Sequence, residues 1–458
     1  MSAMLLIFVF GYICIAMEHR IKIDKAAIAL VMSGLMWALL IVVVPQSAAN
    51  AHATAFQEFL EMNPFIRSLG QEEIWQRFIT DFLLIEYMGD ISSTLFFLIG
   101  AMTIVELIDA HRGFDILTDK IKPGSKRKLL VIIVIMAFCM SAVLDNLTTS
   151  IVMVTLVRKI VANYKERWVF AGMIIISANS GGAWSPIGDI TTIMLWIKGT
   201  LSSWPLIKSI LLPSIVSTAV PLFFATRLIK DEPVKSPNHP KAHEKEFPLS
   251  RKERKIILVM GIASLLSVPV FKYVTSLPPF AGVMTALGIM WIYTEILYSK
   301  IKINESAKNR VTKLIKRIDT TTILFFLGIL LSVMSLQASG ILGQAGAFLD
   351  HKLANSNLMA LSIGVLSSIV DNVPLVAVAM GMFPVSSAVG TEFLMDGNFW
   401  HLLAFCAGTG GSLLIIGSAA GVVVMGLEKI SFGWYFKNIS LLAFIGYISG
   451  ALVFFLMN

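Results

Sequence analysis

Apolar runs of spanning or half-spanning length recur along the chain, with short polar stretches between them; residues 129–140, 256–270, 280–297 and 323–336 are examples. A run of about 20 apolar residues crosses a bilayer as a helix, which satisfies its own backbone where water is absent. The period-two alternation of a lipid-facing barrel strand is missing. The pattern therefore predicts an all-α polytopic membrane protein. Membrane helices are expected at about 3–17 and 26–44, in a helix ending near Ala110, and at about 205–226, 256–274, 279–298 and 438–456. An external segment, 45–80, is expected to hold an interfacial amphipathic helix around 56–79.

Two apolar stretches are interrupted in the same way, 229 residues apart. The first reads Ala178-Asn179-Ser180-Gly181-Gly182-Ala183-Trp184-Ser185-Pro186-Ile187-Gly188-Asp189. The second reads Ala407-Gly408-Thr409-Gly410-Gly411-Ser412 and continues to Gly417-Ser418. Gly181 matches Gly410, Gly182 matches Gly411, and Gly188 matches Gly417. An Asp-Asn pair precedes each: Asp145-Asn146 and Asp371-Asn372. Each pair splits a pair of short apolar arms, 129–143 with 151–161 and 357–370 with 373–389. These read as re-entrant helical hairpins, with two short spanning helices as the alternative for the first. The helices that follow, 168–197 and 400–428, are expected to break at 180–188 and 408–417. Such breaks at corresponding places in two halves point to a transport site built by an internal repeat.

Charge gives the orientation. Lys and Arg crowd residues 120–128, 158–167, 227–255 and 300–317, and basic loops lie on the cytoplasmic side. The first hairpin then enters from the inside. The second, flanked by Asp350, Glu392 and Asp396, enters from the outside, and Leu95-Phe96-Phe97-Leu98 recurs as Leu324-Phe325-Phe326-Leu327 on a helix of opposite direction. The expected plan is two inverted-topology repeats. It comprises N-terminal helices and the external segment (1–89), a first repeat (90–229), a linker with two scaffold helices and a basic loop (230–318), and a second repeat (319–458).

Composition agrees: 56% of residues are hydrophobic, 14% are charged, and mean hydropathy is +0.78. Ordinary soluble domains carry about 25% charge. The net charge of +8 belongs to the loops, so nucleic acid is not an expected partner. Cys14, Cys139 and Cys406 sit in apolar runs and read as reduced core residues. The seven His show no metal-ligand spacing, and no Walker A sequence exists, so no ATP site is expected. The apolar start, 1–16, reads as a first membrane helix and not a removed signal.

The chemistry follows from the breaks. Half-helices meeting in mid-membrane expose amides at one end and carbonyls at the other. Carbonyls, Asn side chains and hydroxyls replace the water shell of a small hard cation, and a carboxylate accepts either that cation or a proton. The candidate ion-binding and coupling set is Asp145, Asn146, Thr148, Thr149, Asn179, Ser180, Asp189, Asp371, Asn372, Thr409 and Ser412. The six break glycines let backbone unwind and approach the ion. Asp145 and Asp371 also suit the N-caps of the hairpin helices, and the glycines also suit close packing. Glu106 and Asp109 form a second tier that suits pairing with loop cations. No catalytic residue is assigned. An intramembrane aspartyl enzyme pairing Asp145 with Asp371 remains as an alternative of another class.

The motifs Ser141-Ala-Val-Leu-Asp-Asn-Leu-Thr-Thr-Ser150 and 178–189, with Val370-Asp-Asn-Val-Pro-Leu375 and 408–418, resemble the NhaD-type sodium/proton antiporters of the ion transporter superfamily. The resemblance covers roughly residues 90–458. It implies an inverted-repeat fold, commonly homodimeric, that moves as an elevator and exchanges Na⁺ or Li⁺ for H⁺; a bacterial-type inner membrane is the expected location. No cofactor is implied; Na⁺ is the bound metal and the cargo. A sodium-coupled anion carrier or arsenite exporter of the same superfamily is the alternative. Acidic tips, where the dicarboxylate carriers show Ser-Asn-Thr, favour a cation.

Overall fold

The computed structural model describes residues 2–118, 124–233, 249–300, 310–353, 355–369, 372–383, 385 and 392–458. Parts of the predicted cytoplasmic loops (120–123, 234–248, 301–309), the first two positions of the external loop 390–399, and the tip residue Asp371 lie outside these. Among the described residues every regular element is helical, and eight helices are long and apolar enough to cross a membrane. The protein is a multi-pass integral membrane protein.

The chain divides into two compact units that interleave in sequence. The first comprises 1–95, 319–359 and 373–393. Its centre is the helix Lys25–Val43 against Thr320–Ala338. Asp24 starts the first of these by accepting from the Ala26 amide at 2.8 Å, and Asp319 starts the second by accepting from Thr322 N at 3.0 Å. The helices approach closely because Gly328 lies against the Ala29–Leu30 backbone, and the Trp37 indole donates to the Leu331 carbonyl at 3.0 Å. A small residue at the crossing replaces the hydrophobic drive that lipid does not supply.

The segment 45–80 differs from the expected single amphipathic helix. Helix Ala53–Met62 stops at Asn63-Pro64, a 3₁₀ turn covers Pro64–Ser68, and Gly70 opens a new helix, Gln71–Arg77. That helix runs on through a π-helical turn, Phe78–Leu83, into Leu84–Ala110. Proline disfavours a helical backbone at the preceding residue, and Asn63 takes φ −127°, which splits the segment.

The second unit comprises 96–318, 360–372 and 394–458. At its centre is Tyr164–Ala183, started by Asn163 and buried at every position from Val169 to Ala183. Lys126–Leu144, Asn146–Ile160, Ser203–Leu228, Asn398–Gly410 and Ala419–Glu428 pack around it. A helix enclosed on all sides holds its polar residues in the protein interior, and here these are Ser177, Asn179 and Ser180. Ser203–Leu228 contains Pro213 and Pro221; Gly446 and Gly450 of Ser440–Met457 press against those bends.

Candidate functional site

The first hairpin turns on one residue. Lys126–Leu144 ends, Asp145 stands at φ 78°, and Asn146–Ile160 begins. This backbone conformation is close to glycine-only and costs of order 1–3 kcal/mol. The Asp145 carboxylate offsets it by capping: one oxygen accepts from Thr148 N at 2.8 Å and the other from Thr148 Oγ1 at 2.9 Å. Asp145 and Thr148 are thus engaged with each other. The next residue, Asn146, is buried and points away from the cap.

The broken helices differ in detail from the expectation. The first stays helical to Ala183, and its break is 184–189; the second stays helical to Gly410, and its break is 411–418. Gly181, Gly182 and Gly410 therefore lie in closing helical turns, and none of the six glycines has a positive φ. They are needed for close approach. A Cβ on Gly181 would meet the Phe138 carbonyl, and one on Gly410 would meet the Gly364 carbonyl. Gly188 faces Ser141 O and Gly182 O, while Gly417 faces Ser368 and Gly411 O. Gly182 touches Gly188 and Gly411 touches Gly417 in the same manner. Hydroxyls repeat the correspondence: Ser141 donates to Ala178 O at 2.5 Å, and Ser367 donates to Ala407 O at 2.9 Å.

The second half of each broken helix begins at Asp189 or at Ser418, with nearly equal backbone angles (φ −141° and −142°). Ser418 caps its helix by accepting from Gly421 N at 3.2 Å. Asp189 accepts no cap bond from its own helix amides. Its carboxylate, 2% exposed, gathers side chains instead: Asn146 Nδ2 at 3.3 Å on one oxygen, Asn372 Nδ2 at 3.4 Å and Thr191 Oγ1 at 2.7 Å on the other. Asn179 extends the cluster. Its Oδ1 accepts from Asn146 at 3.0 Å, and its Nδ2 donates to Ser412 Oγ at 2.9 Å and Ser418 Oγ at 3.1 Å. Both Asp-Asn motifs and both breaks thus send residues to one buried centre.

Of the candidates, Asn146, Asn179, Asp189, Asn372 and Ser412 meet there. Thr149 Oγ1 is buried without a hydrogen-bond partner on the same helix turn as Asn146. Ser180 faces elsewhere, accepting from Ser217 Oγ at 2.9 Å, and Thr409 bonds back to Phe405 O at 2.6 Å. Asp371 lies outside the described residues. Glu106 pairs with Arg317 of the basic loop at 3.7 Å, and Asp109 lines a small half-open cavity of about 150 Å³ with Asp115, Ile151 and Thr155. Thr191 and Ser418 were not among the candidates; the 229-residue offset that aligns Ser418 with Asp189 is the signal that identifies it. Asn groups can turn their carbonyl oxygen toward a cation, since amide N and O are interchangeable by rotation. The N-termini of Ile190–Ile197 and Ala419–Glu428 also point their positive dipole ends here.

A buried carboxylate stands among three Asn and two Ser at the meeting of two broken helices. The pattern of the family described as citrate transporters, CitMHS, matches residues 12–396. Proteins named sodium/proton antiporter 1 and sodium/proton antiporter 2, from Arabidopsis thaliana, are 42% and 39% identical over 455 and 452 residues; the alignments take in 98% of this chain in both cases, and 71% and 98% of the relatives. A Halomonas elongata protein named Na(+)/H(+) antiporter NhaD is 30% identical over 484 residues, covering 99% of this chain and 87% of the relative. The chain belongs to the NhaD-type sodium/proton antiporter family. That family consists of secondary transporters, so the intramembrane enzyme is set aside. The CitMHS match stops short of the second break, whereas the alignments with the NhaD-type relatives span almost the whole chain.

Proposed function

We propose that this chain exchanges Na⁺ for H⁺ across its membrane, with Asp189 as the group that holds either ion. The observation that carries this reading is the convergence of Asn146, Asn372 and Thr191 on the buried Asp189 carboxylate. Carboxylate, amide and hydroxyl oxygens are hard donors suited to a small hard cation. Na⁺ binding favours the ionised Asp; protonation expels the cation, and the two occupancies exclude each other. Each state is close to electroneutral at the site, which favours carrying either ion, and not the empty charged site, through the membrane. Li⁺ fits the same donors.

The two hairpins enter from opposite faces in this reading, as inverted repeats. The breaks and hairpin tips move together as an elevator, and the protein works as a homodimer. Its membrane is a bacterial-type inner membrane or, given the plant relatives, an equivalent organelle membrane.

The test is flux in proteoliposomes with a trapped pH dye, run with Na⁺, Li⁺, K⁺, succinate and citrate. Alkalinisation or acidification driven by Na⁺ and Li⁺ but not K⁺ is expected. The description of the family pattern favours one competing reading, a sodium-coupled carboxylate carrier. Na⁺-dependent uptake of succinate or citrate, with no proton movement by Na⁺ alone, would replace antiport with that reading.

A further inference from the structure

The outer ends of the broken helices carry two polar clamps that the ion site does not use. One centres on Glu428, the last residue of Ala419–Glu428, whose side chain is 1% exposed. Arg167 Nε reaches it at 2.9 Å and Arg158 Nε at 3.3 Å. Arg167 Nη1 also donates to the Val161 and Ala162 carbonyls at 3.3 and 3.0 Å, and Trp168 Nε1 donates to the Glu428 carbonyl at 3.0 Å. The second centres on Asp396, just before Asn398–Gly410. Its carboxylate accepts from Ser202 N and Ser202 Oγ, each at 2.6 Å, its amide donates to Thr200 O at 3.0 Å, and His401 Nε2 lies 3.9 Å away.

The connectivity of these clamps is reciprocal. Arg167 opens the first broken helix and Glu428 closes the second. Asp396 opens the second, and Thr200 and Ser202 follow the close of the first. The two broken helices are therefore tied head to tail at both ends. Three helices also carry the ion site at one end and the Glu428 clamp at the other: Asn146 and Arg158 on one, Asn179 and Arg167 on the next, Ser418 and Glu428 on the third. At a helical rise of about 1.5 Å per residue, site and clamp are about 15–18 Å apart along each. A rod held at one end swings at the other, so releasing the outer end displaces the site donors.

The geometry points to Glu428 and Asp396 as positioning residues for the cation site, fixing the spacing of its donors from a distance. The inference rests on the antiport reading above. A cage of fixed donors discriminates Na⁺ from Li⁺ by size. A loosened clamp therefore shows in cation affinity and selectivity, which a purely stabilising contact leaves alone.

The test uses Glu428→Gln, Asp396→Asn and Glu428→Asp in the full chain. Proteoliposome exchange gives Na⁺ half-saturation and the Na⁺/Li⁺ ratio, and the purified protein gives Tm. Glu428→Gln and Asp396→Asn are each expected to raise Na⁺ half-saturation roughly three- to tenfold, inside the range of remote couplings, and to shift the Na⁺/Li⁺ ratio. Glu428→Asp, which keeps the charge, should recover most of the loss. Arg158→Gln, which leaves the Glu428–Arg167 pair intact, carries the same test with a smaller shift where Glu428→Gln fails to insert. A lower Tm with wild-type half-saturation and wild-type Na⁺/Li⁺ ratio would overturn the inference. A wild-type protein that moves no protons with Na⁺ would overturn the antiport reading and this inference together. An active wild-type with unmoved variants overturns the inference alone.

Discussion

Asp189 and Ser418 occupy the same place in the two halves and do opposite things. Ser418 caps its helix, whereas Asp189 leaves its helix uncapped and turns its charge into the centre. The asymmetry puts the titratable group of this pair on the first break. Asp189→Asn keeps the shape and removes the charge, so coupled exchange should fall to background in the pH-dye assay while purified yield is unchanged. Asp145→Asn should behave differently. Asn caps about as well as Asp, so Tm should stay within about 2 °C, at a few degrees per kcal/mol. Loss of a charge next to the site should weaken exchange by roughly tenfold without abolishing it. Equal abolition in both variants would move the coupling group to the hairpin tip. Thr149 makes a third case: its hydroxyl is buried with no partner, and an unsatisfied buried group costs about 1–3 kcal/mol. Thr149→Val should raise Tm yet raise Na⁺ half-saturation, the trade expected of a group kept for a ligand.

Elements explain what the glycines are for. Gly181 and Gly410 are bounded by hairpin backbone, which cannot step aside as a side chain can. Gly181→Ala or Gly410→Ala should lower stability by about 1–3 kcal/mol through overpacking and slow exchange. Gly426→Ala, whose added Cβ would meet nothing within 4 Å, should be neutral or gain up to about 1 kcal/mol of helix propensity; thermal unfolding of the three variants side by side decides this. The same elements mark how far the sequence can be read. Hydrophobic runs showed the long helices because burial in lipid needs an uninterrupted apolar stretch. A Gly-Gly pair reads as unwinding, which puts the expected breaks a few residues early, while here it makes room for the Phe138 and Gly364 carbonyls. At Asp145, capping and ion contact call for the same residue, and its bonds to Thr148 show the cap. Thr191 gives no signal, because a Thr in an apolar half-helix looks like helix surface. Glu428 and Arg167, 261 positions apart, carry no local signal at all.

At the scale of the whole molecule the duplication makes one demand, that the two broken helices run in opposite directions across the membrane. Lys198 closes the first broken helix and Lys429 closes the second. Both are exposed, and each follows its half-helix directly. If the repeats are parallel, these two positions emerge on the same face of the membrane. If they are inverted, they emerge on opposite faces, with 198 outside and 429 on the side of the basic loops. The excess of Lys and Arg at 158–167 and 227–255 favours inversion. So does the tie of Glu428 to Arg158 and Arg167 from the first of these loops. Single cysteines at 198 and at 429, in a background with Cys14, Cys139 and Cys406 replaced by Ser, should react with a membrane-impermeant maleimide from opposite sides of right-side-out and inverted vesicles. Labelling of both from one side would remove the inverted repeat. The shared centre at Asp189 would then need two parallel broken helices, and an elevator built on opposed hairpins would have no basis.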